Sequence, residues 1–399
     1  MKLIYNIGLL VGIQPEGVLR LEGPAQGQTG TLENAWLAIE NGRIKAFGPM
    51  SSLDVTPDQE SLDACGGMLM PGFCDSHTHV VYAGSRDGEF LDKLGGLSYE
   101  EIAARGGGIL NSSDLLHATS EDELYKQSMV RVQEVMEKGT VALEIKSGYG
   151  LNPEDELKML RVIRRIRETV PAAVKSTFLG AHAVGRGYSH EAYVQAVIDM
   201  IPQAAEYADF VDVFCDEGFF TVEDTERILS AAKGLLTPKI HANELAVSGG
   251  VQVGVKHGAL SVDHLERTTD AEIEALRGSD TMPTMLPGSS FFLGLPYGRA
   301  KDYLKAGLGV ALASDYNPGS SPCGDMRFVM AQGCIKMRLT PVEAFNAVTL
   351  NSAYAMGLSH ELGSVTVGKK AGLILTHPGW NLTKIAYHYQ TPFLREVFF

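Results

Sequence analysis

Two histidines one residue apart, His77 and His79, follow the segment Pro71-Gly72-Phe73. On a β-strand alternate side chains share a face, so these two imidazoles would lie about 7 Å apart at Cα and could reach one cation. Neutral imidazole is a good ligand for zinc or iron. Taken alone, such a pair more often marks the polar face of an ordinary strand. The spacing therefore indicates a metal site only if further ligands join it.

Further ionisable residues recur where we predict that strands end. His241 ends the fifth predicted strand and Asp315 follows the eighth. Together with His77 and His79 they make a set of three nitrogens and one oxygen with room for water, and an open position of this kind is typical of a catalytic metal. Five of the eleven histidines fall at such ends, namely His77, His79, His182, His241 and His264. This clustering predicts an active site.

The elements that must position these residues are eight short apolar or β-branched runs separated by helical patterns. Alternation of this kind predicts a (β/α)8 TIM barrel, whose chemistry lies at the carboxyl ends of the strands. After the second run, Asn152 suits an N-cap, Pro153 suits the first helical position, and an apolar stripe follows. The runs lie near 73–79, 140–146, 174–181, 210–214, 238–242, 259–264, 281–286 and 310–314, and further helical patterns lie at 153–166, 191–207, 222–234 and 341–356.

Both ends of the chain read as β-structure. Asn41-Gly42 between two apolar runs is a strong hairpin signal. Near the other end, Gly363–Lys370 and Leu373–Leu375 also read as strands, and because isolated strand pairs are rarely stable, we expect one small β-sheet domain built from both chain ends. The predicted divisions are 1–65 for the first part of this domain, 66–360 for the barrel and 361–399 for the second part.

The first crossover, from Val80 to Gly139, is unusually long and contains Gly106-Gly107-Gly108. Long glycine-bearing loops in compact domains are often functional. The segment 82–118 could therefore be a lid over the site, or the glycines could be a flexible turn, and the sequence leaves both readings open.

Composition restricts the partners and the compartment. The chain has 399 residues, 45% of them hydrophobic, and a formal net charge of −14, which argues against nucleic acid or anionic membrane as a partner. No apolar stretch is long enough to span a membrane, and Asn6 and Gly8 interrupt the apolar start, which suits a strand better than a signal peptide. The five cysteines are widely spaced without a CxxC pair, so we expect no disulfide framework and a reducing cytoplasm.

The motifs in their order resemble the amidohydrolase superfamily, and in particular a branch of it that acts in histidine degradation. The match spans nearly the whole predicted barrel, and the set in this order is far more specific than the His-x-His alone. The motifs are Tyr82-Ala83-Gly84-Ser85-Arg86, Lys146-Ser147-Gly148-Tyr149-Gly150, Phe178-Leu179-Gly180-Ala181-His182-Ala183, Val213-Phe214-Cys215-Asp216-Glu217-Gly218, His241-Ala242-Asn243-Glu244 and Asp315-Tyr316-Asn317-Pro318-Gly319-Ser320-Ser321.

The resemblance implies hydrolytic opening of the ring of 4-imidazolone-5-propanoate to N-formimidoyl-L-glutamate. It implies one divalent metal ion, zinc or iron. A second ion is not expected, because the fourth predicted strand offers no lysine that could be carbamylated and bridge two metal ions. It also implies a homodimer. The residues carried over by position are His77, His79, His241 and Asp315 as metal ligands, and Arg86, Tyr149, His182, Glu244, Asn317, Gly319 and Ser320 as contacts of a small-molecule substrate that carries a carboxylate.

Residue chemistry supports several of these roles. Arg86 can bind a carboxylate through two parallel hydrogen bonds, although a surface arginine is the alternative. Glu244 follows the predicted ligand His241 by three residues and could accept a proton from water, with Asp315 and His264 as the other candidate catalytic groups.

Two other functions remain open at this point. A related amidohydrolase could open another cyclic amide or deaminate another heterocycle, although Arg86 and Tyr149 favour a carboxylate-bearing substrate. A barrel of this kind could also be a non-catalytic scaffold, which the presence of all four predicted ligands disfavours. Metal analysis of the purified chain distinguishes enzyme from scaffold.

Overall fold

The computed structural model describes residues 1–97, 101 and 107–399, and within these the strands form one sheet of seven strands and one of eight. In chain order the strands are β1 (Lys2–Ile13), β2 (Gly30–Glu40), β3 (Arg43–Pro49), β4 (Leu62–Asp63), β5 (Gly67–Pro71), β6 (Phe73–Thr78), β7 (Thr140–Lys146), β8 (Ala173–Ala181), β9 (Phe210–Cys215), β10 (Thr237–Ala242), β11 (Ser261–His264), β12 (Met282–Met285), β13 (Ala311–Leu312), β14 (Leu373–Pro378) and β15 (Leu394–Phe398).

The larger sheet runs in unbroken order from β6 to β13 with parallel pairing. Its two edges meet just beyond the strand ends, where Asp315 N donates to His77 O over 3.0 Å and His79 N donates to Tyr316 O over 2.9 Å. All eight strands fall within the predicted runs or within one residue of them, so the (β/α)8 barrel is confirmed. Closure brings Asp315 beside the His-x-His pair.

Helices follow the barrel strands and bury one face against them. Asn152 accepts a hydrogen bond from Asp155 N over 2.9 Å as the N-cap of the helix after β7, and Pro153 opens that helix, both as predicted. Among the described residues the helices are α1 (Asp87–Leu94), α2 (Ile109–Ala118), α3 (Glu121–Glu137), α4 (Pro153–Thr169), α5 (His190–Ala204), α6 (Val222–Ala232), α7 (Gly250–Lys256), α8 (Asp270–Leu276), α9 (Pro287–Leu293), α10 (Ala300–Lys305), α11 (Met326–Ile335), α12 (Pro341–Ala347), α13 (Leu350–Ala355) and α14 (Leu382–Tyr387).

The single helical pattern predicted over 341–356 is wrong in one respect, because the structure has two helices there. The chain leaves helical geometry at Val348 and Thr349, between α12 and α13. The carbonyl of Val348 accepts a hydrogen bond from Cys74 N over 2.9 Å, so it is used by the first barrel strand instead of the helix. A contact between residues so distant in sequence leaves no local signal.

The smaller sheet combines both chain ends in the order β15-β14-β5-β1-β2-β3, with β4 paired to β1. The predicted hairpin is confirmed: β2 and β3 are antiparallel, and both turn residues, Asn41 and Gly42, have positive φ. Strand β5 pairs with β1 and β14 although it lies in the range assigned to the barrel from sequence. The divisions at residues 65 and 360 stay predictions.

The strand predicted at Gly363–Lys370 is wrong. The structure has turns there, with single bridges from Val365 to Ile13 and from Lys370 to Arg43. Gly363 and Gly368 have φ near +90°, which an extended strand does not allow. Leu373–Leu375 is confirmed as part of β14, whereas β15 was not predicted.

The long first crossover contains α1, α2 and α3 in its described part. Gly106, one of the three glycines on which the lid and the turn predictions rest, lies outside the described residues. Gly108 precedes α2 with a φ of 82°, and Phe90 of α1 and Ile109 of α2 line the cavity described below. None of the helices in the described ranges is long and apolar enough to cross a membrane.

Candidate active site and metal centre

Four predicted ligands converge at the carboxyl ends of β6, β10 and β13. The Nε2 atom of His79 lies 3.2 Å from Nε2 of His77 and 3.4 Å from Nε2 of His241. Asp315 Oδ1 lies 3.5 Å from the His77 nitrogen and 3.4 Å from the His79 nitrogen. The edges of a tetrahedron around zinc with bonds of about 2.05 Å would be roughly 3.3 Å long. These four distances therefore match the spacing of metal ligands, and His77, His79 and His241 form one possible ligand group.

The protonation of the rings fits the same reading. His77 Nδ1 lies 2.7 Å from Asp263 Oδ2, and His241 Nδ1 lies 2.9 Å from Asp212 Oδ2. Burial lowers the pKa of both histidines, that of His241 to about 4, so each is a neutral ring whose Nδ1 faces a carboxylate. The Nε2 lone pairs then face one another. A metal cation between them would make this arrangement favourable.

Asp212 and Asp263 were not identified from the sequence as partners of the ligands. Asp212 is the one charged residue of the apolar strand β9, Asp263 lies in β11 beside His264, and both aspartates are buried. Charged residues are almost never fully buried unless paired. A charged residue in a strand that is predicted to be buried is therefore the sequence signal that could have identified both aspartates.

Asp315 is ionised at the site. Burial acts to raise its pKa, but the hydrogen bond with His79 and the charge of His264 hold the pKa well below its usual range. Ser289 Oγ also donates to Asp315 Oδ2. His264 and Asp315 form a second possible ligand set with His77, so His264 lies beside the first set rather than apart from it.

The backbone at these strand ends has an unusual conformation. Asn243, His264, Leu265 and Asp315 have positive φ between 53° and 86°. For residues other than glycine this costs about 1–3 kcal/mol each, and such residues cluster at functional sites. Local strain therefore coincides with the site that the side chains define.

Glu244 lies next to the ligand set on a loop that Asp216 holds in place. The two carboxylate oxygens of Asp216 accept hydrogen bonds from the backbone N–H groups of Glu244, Leu245 and Ala246 at 2.8–3.1 Å. Burial raises the pKa of Glu244 to about 7, while the charge of His264 acts to lower it. A carboxylate that can both lose and accept a proton near neutral pH suits acid–base catalysis.

His264 lies between two carboxylates. Its Nε2 is 3.6 Å from Glu244 Oε2, and its Nδ1 is 3.5 Å from Glu266 Oε2. Burial lowers the pKa of His264, but these two carboxylates outweigh it and raise the pKa well above the ordinary value. The structure thus places His264 where it can donate a hydrogen bond into the site.

A cavity of about 690 Å³ opens above the ligand set, and all seven predicted substrate contacts line it. His182 Nδ1 lies 2.9 Å from Gly148 O, so the N–H is on Nδ1 and Nε2 is a free acceptor. The His182 ring stacks on His79 at a centroid distance of 5.3 Å, with Tyr149 5.5 Å from His182. The seven are Arg86, Tyr149, His182, Glu244, Asn317, Gly319 and Ser320.

The predicted carboxylate binder, Arg86, already has a partner. Its Nε and Nη2 atoms donate to Glu89 Oε2 over 2.9 and 2.6 Å, so one edge of the fork is used. The Nη1 atom lies against Gly319, where an added Cβ would be only 2.1 Å away. Glu89 was not identified from the sequence, because its pairing depends on the helix that begins after Arg86.

Asn317 shapes the turn after β13. Its side-chain Nδ2 donates to Asp315 O and to Ser320 Oγ, each over 2.7 Å, and its Oδ1 accepts from the backbone N–H of Gly319 and Ser320. The side chain therefore holds in place the backbone that presents Asp315, Gly319 and Ser320 to the cavity.

Comparison with known proteins agrees with the fold and identifies a family. The family model described as "Amidohydrolase family" matches residues 68–394. A Flavobacterium johnsoniae protein named imidazolonepropionase is 50% identical, with 100% of this chain and 98% of the relative covered. A Geobacillus kaustophilus protein of the same name is 42% identical, with 90% and 87% covered.

Solved structures share the fold at low identity. An adenosine deaminase from Xanthomonas campestris superposes with a TM-score of 0.72 at 17% identity, covering 99% of this chain and 91% of the other. A 5-methylcytosine deaminase from Klebsiella pneumoniae gives a TM-score of 0.74 at 14% identity, covering 98% and 96%. At such low identities the superposition demonstrates a common fold and nothing about function. The family model and the near full-length relatives show that the chain belongs to the amidohydrolase family and, within it, to the imidazolonepropionases.

Proposed function

We propose that this chain hydrolyses 4-imidazolone-5-propanoate to N-formimidoyl-L-glutamate in histidine degradation. The observation that carries the proposal is the convergence of three imidazoles and the Asp315 carboxylate beside Glu244, at the base of a cavity with Arg86 in its wall. The name of the relatives, imidazolonepropionase, indicates the substrate. The site contains groups that suit the ring and the carboxylate of that substrate.

His77, His79, His241 and Asp315 would hold one divalent metal ion. When bound there, such an ion lowers the pKa of a water molecule towards neutrality and polarises a carbonyl oxygen. Three imidazoles and one carboxylate suit zinc as well as iron, and both stay candidates.

Glu244 and His264 would divide the proton transfers. Glu244 can accept a proton from the attacking water and deliver it to the ring nitrogen that leaves, because its pKa of about 7 permits both states. His264 can donate a hydrogen bond to the oxygen on which negative charge develops. Asp315, held ionised, is the remaining candidate acceptor.

The cavity wall would select the substrate. Arg86 can offer the N–H groups of Nη1 to the propionate while its other edge stays on Glu89. His182 Nε2 and the Tyr149 hydroxyl can hydrogen-bond the heterocycle, and Gly319 and Ser320 also line the cavity. Positioning of this kind converts binding energy into a reactive geometry.

The deciding experiment is incubation of the purified chain with 4-imidazolone-5-propanoate while its ultraviolet absorbance is followed. We expect loss of the ring absorbance, one N-formimidoyl-L-glutamate formed for each substrate consumed, and no ammonia. Release of ammonia would indicate a deaminase instead, and an unchanged spectrum with metal-loaded protein would refute the proposed substrate.

Cytoplasmic location and homodimeric assembly are also proposals. The first rests on five cysteines without a disulfide pattern, and the structure has all five as free thiols. The second rests on family resemblance alone, and sedimentation of the purified chain tests it.

A further inference from the structure

Below the metal ligands, the inside of the barrel holds a compact cluster of charged side chains. The cluster comes from β7, β9, β10 and β11, and each member is at most 1% exposed. Burying charges is unfavourable unless they are paired and hydrogen-bonded, so such a group calls for an explanation. Its members, called the buried ion cluster below, are Glu144, Lys146, Asp212, Lys239 and Asp263.

Lys146 contacts both carboxylates that hold the metal histidines. Its Nζ donates to Asp212 Oδ2 over 2.8 Å and lies 3.8 Å from Asp263 Oδ2. Those same oxygens lie 2.9 Å from Nδ1 of His241 and 2.7 Å from Nδ1 of His77. One ammonium group therefore connects two ligand rings that come from opposite sides of the barrel.

Lys239 resembles Lys146 in burial and charge but has different neighbours. Its Nζ donates to Ser76 O over 3.0 Å and to Glu144 Oε2, and it lies 3.7 Å from Asp263 Oδ2. Lys146 shares the Glu144 contact at 2.6 Å. Among the described contacts, Lys146 donates a hydrogen bond to Asp212 and Lys239 does not.

The charge of the cluster matches a cation above it. Two ammonium groups face three carboxylates, which leaves one negative charge in excess, and the Asp315 carboxylate adds another. A divalent ion held by the three histidines and Asp315 would place its positive charge beside this excess. The cluster is thus complementary to a loaded centre, and Lys146 is the member that touches the supports of two ligands.

We propose that Lys146 is a positioning residue of the metal centre, which fixes Asp212 and Asp263 and through them aims the His241 and His77 rings at the metal ion. The proposal rests on the metal site described under the proposed function. Both lysines lie 3.7–3.8 Å from Asp263, so the proposal assigns the difference between them to the hydrogen bond that Lys146 donates to Asp212. Lys239 instead donates to Glu144 and to the β6 backbone.

The test compares matched variants, Lys146→Met and Lys239→Met. Each removes one fully buried ammonium group that contacts Glu144. We expect both variants to lose thermal stability to a similar extent in the metal-free state. Metal affinity, measured by competition with a coloured chelator for Zn²⁺, should fall by about 10- to 100-fold in Lys146→Met, as for other partners of ligating side chains, and by less than about threefold in Lys239→Met.

Charge-balanced variants keep the test decisive if a single change prevents folding. Glu144→Gln combined with Lys146→Met, or with Lys239→Met, removes one charge of each sign and leaves the excess charge of the cluster unchanged. The same difference in Zn²⁺ affinity should appear between these two double variants.

The outcomes separate this proposal from the proposed function. Equal losses of Zn²⁺ affinity in Lys146→Met and Lys239→Met, or in the two double variants, would overturn the role of Lys146. An unchanged affinity in Lys146→Met would do the same. In either case the proposed function stands if the unmodified chain binds metal and turns over substrate. Metal binding by the unmodified chain without turnover would refute the substrate and leave the affinity comparison intact.

Discussion

At the scale of single residues, the paired guanidinium of Arg86 decides how a carboxylate can bind. Glu89 takes Nε and Nη2, so the substrate must use Nη1 and the outer face of Nη2. This pairing neutralises much of the arginine charge but also holds its plane in a fixed direction. A carboxylate then meets a preorganised donor and loses less side-chain entropy on binding.

We expect Arg86→Ala to raise KM by about 100-fold or more, with kcat less affected and metal content unchanged, because a charge-assisted pair is lost in both ground and transition states. Arg86→Lys should restore only part of the binding, since an ammonium group lacks the planar fork. Arg186→Ala is the control, because Arg186 pairs with Asp114 on the surface. Unaltered kinetics of Arg86→Ala would remove this residue from the site.

Glu244 gives a second prediction at this scale. Glu244→Gln keeps the side-chain size, and the loop should stay in place because Asp216 holds it through backbone N–H groups. We expect a folded variant with normal metal content whose kcat is lower by about 10²–10⁴-fold, since glutamine cannot accept the proton. Glu217→Gln, at an exposed position of the same cavity, should be nearly neutral. Near-normal turnover of Glu244→Gln would move the proton transfer to His264 or Asp315.

At the scale of elements, the barrel strands could be predicted from sequence because each is buried on both faces. Such strands read as continuous apolar runs, and the helix after β7 carried its own capping residues. The chain-end sheet was harder. Strand β15 is half-exposed and depends on β14 for its hydrogen bonds, and the turns at 363–370 resemble a strand in composition.

The site followed the same division. The positions of the four proposed ligands were predictable because each lies at a strand end or just beyond it, and strand ends can be read from the pattern. Glu89, Asp212 and Asp263 were not, because their roles lie in pairs joined across the barrel or across a helix turn. Sequence spacing identifies which side chains lie at the same end of the barrel. Tertiary contacts decide how each of these side chains is paired and protonated.

The junction between the two sheets carries a prediction of its own. Gly72 separates β5 from β6, and its N–H donates to Gly372 O over 2.9 Å. An added Cβ would lie 2.3 Å from Cγ1 of Val141 in the adjacent barrel strand. Gly72→Ala should therefore destabilise the fold by about 1–3 kcal/mol through overpacking, seen as a lower midpoint in urea unfolding.

The control for this junction is Gly88→Ala in α1, where an added Cβ meets open space. Alanine is the better helix former, so this change should be neutral or slightly stabilising. A destabilisation of Gly88→Ala equal to that of Gly72→Ala would mean that glycine loss itself, and not the contact with Val141, causes the effect.

At the scale of the whole molecule, a metal ion would link parts of the chain that are far apart in sequence. The ligands come from β6, β10 and the segment after β13, so the ion joins both edges of the barrel to its far side. A ligand that binds only the folded state stabilises it by RT ln(1 + [L]/Kd), about 2.7 kcal/mol at one hundred times Kd. Unfolding entropy of about 2.1 cal/mol/K per residue then predicts a rise in Tm of about 3 °C for a chain of this size.

We therefore expect chelator-treated protein to melt at a lower temperature than protein supplied with a divalent ion, with a difference that grows with the logarithm of the free ion concentration. His241→Ala removes one of the four donors and should abolish most of this concentration dependence. His190→Ala is the matched control, because His190 pairs with Asp224 at the surface and should leave the dependence intact. If His241→Ala and the unmodified chain respond equally to the ion, the stabilising ion binds elsewhere, and the ligand set at the barrel mouth would lose its thermodynamic support.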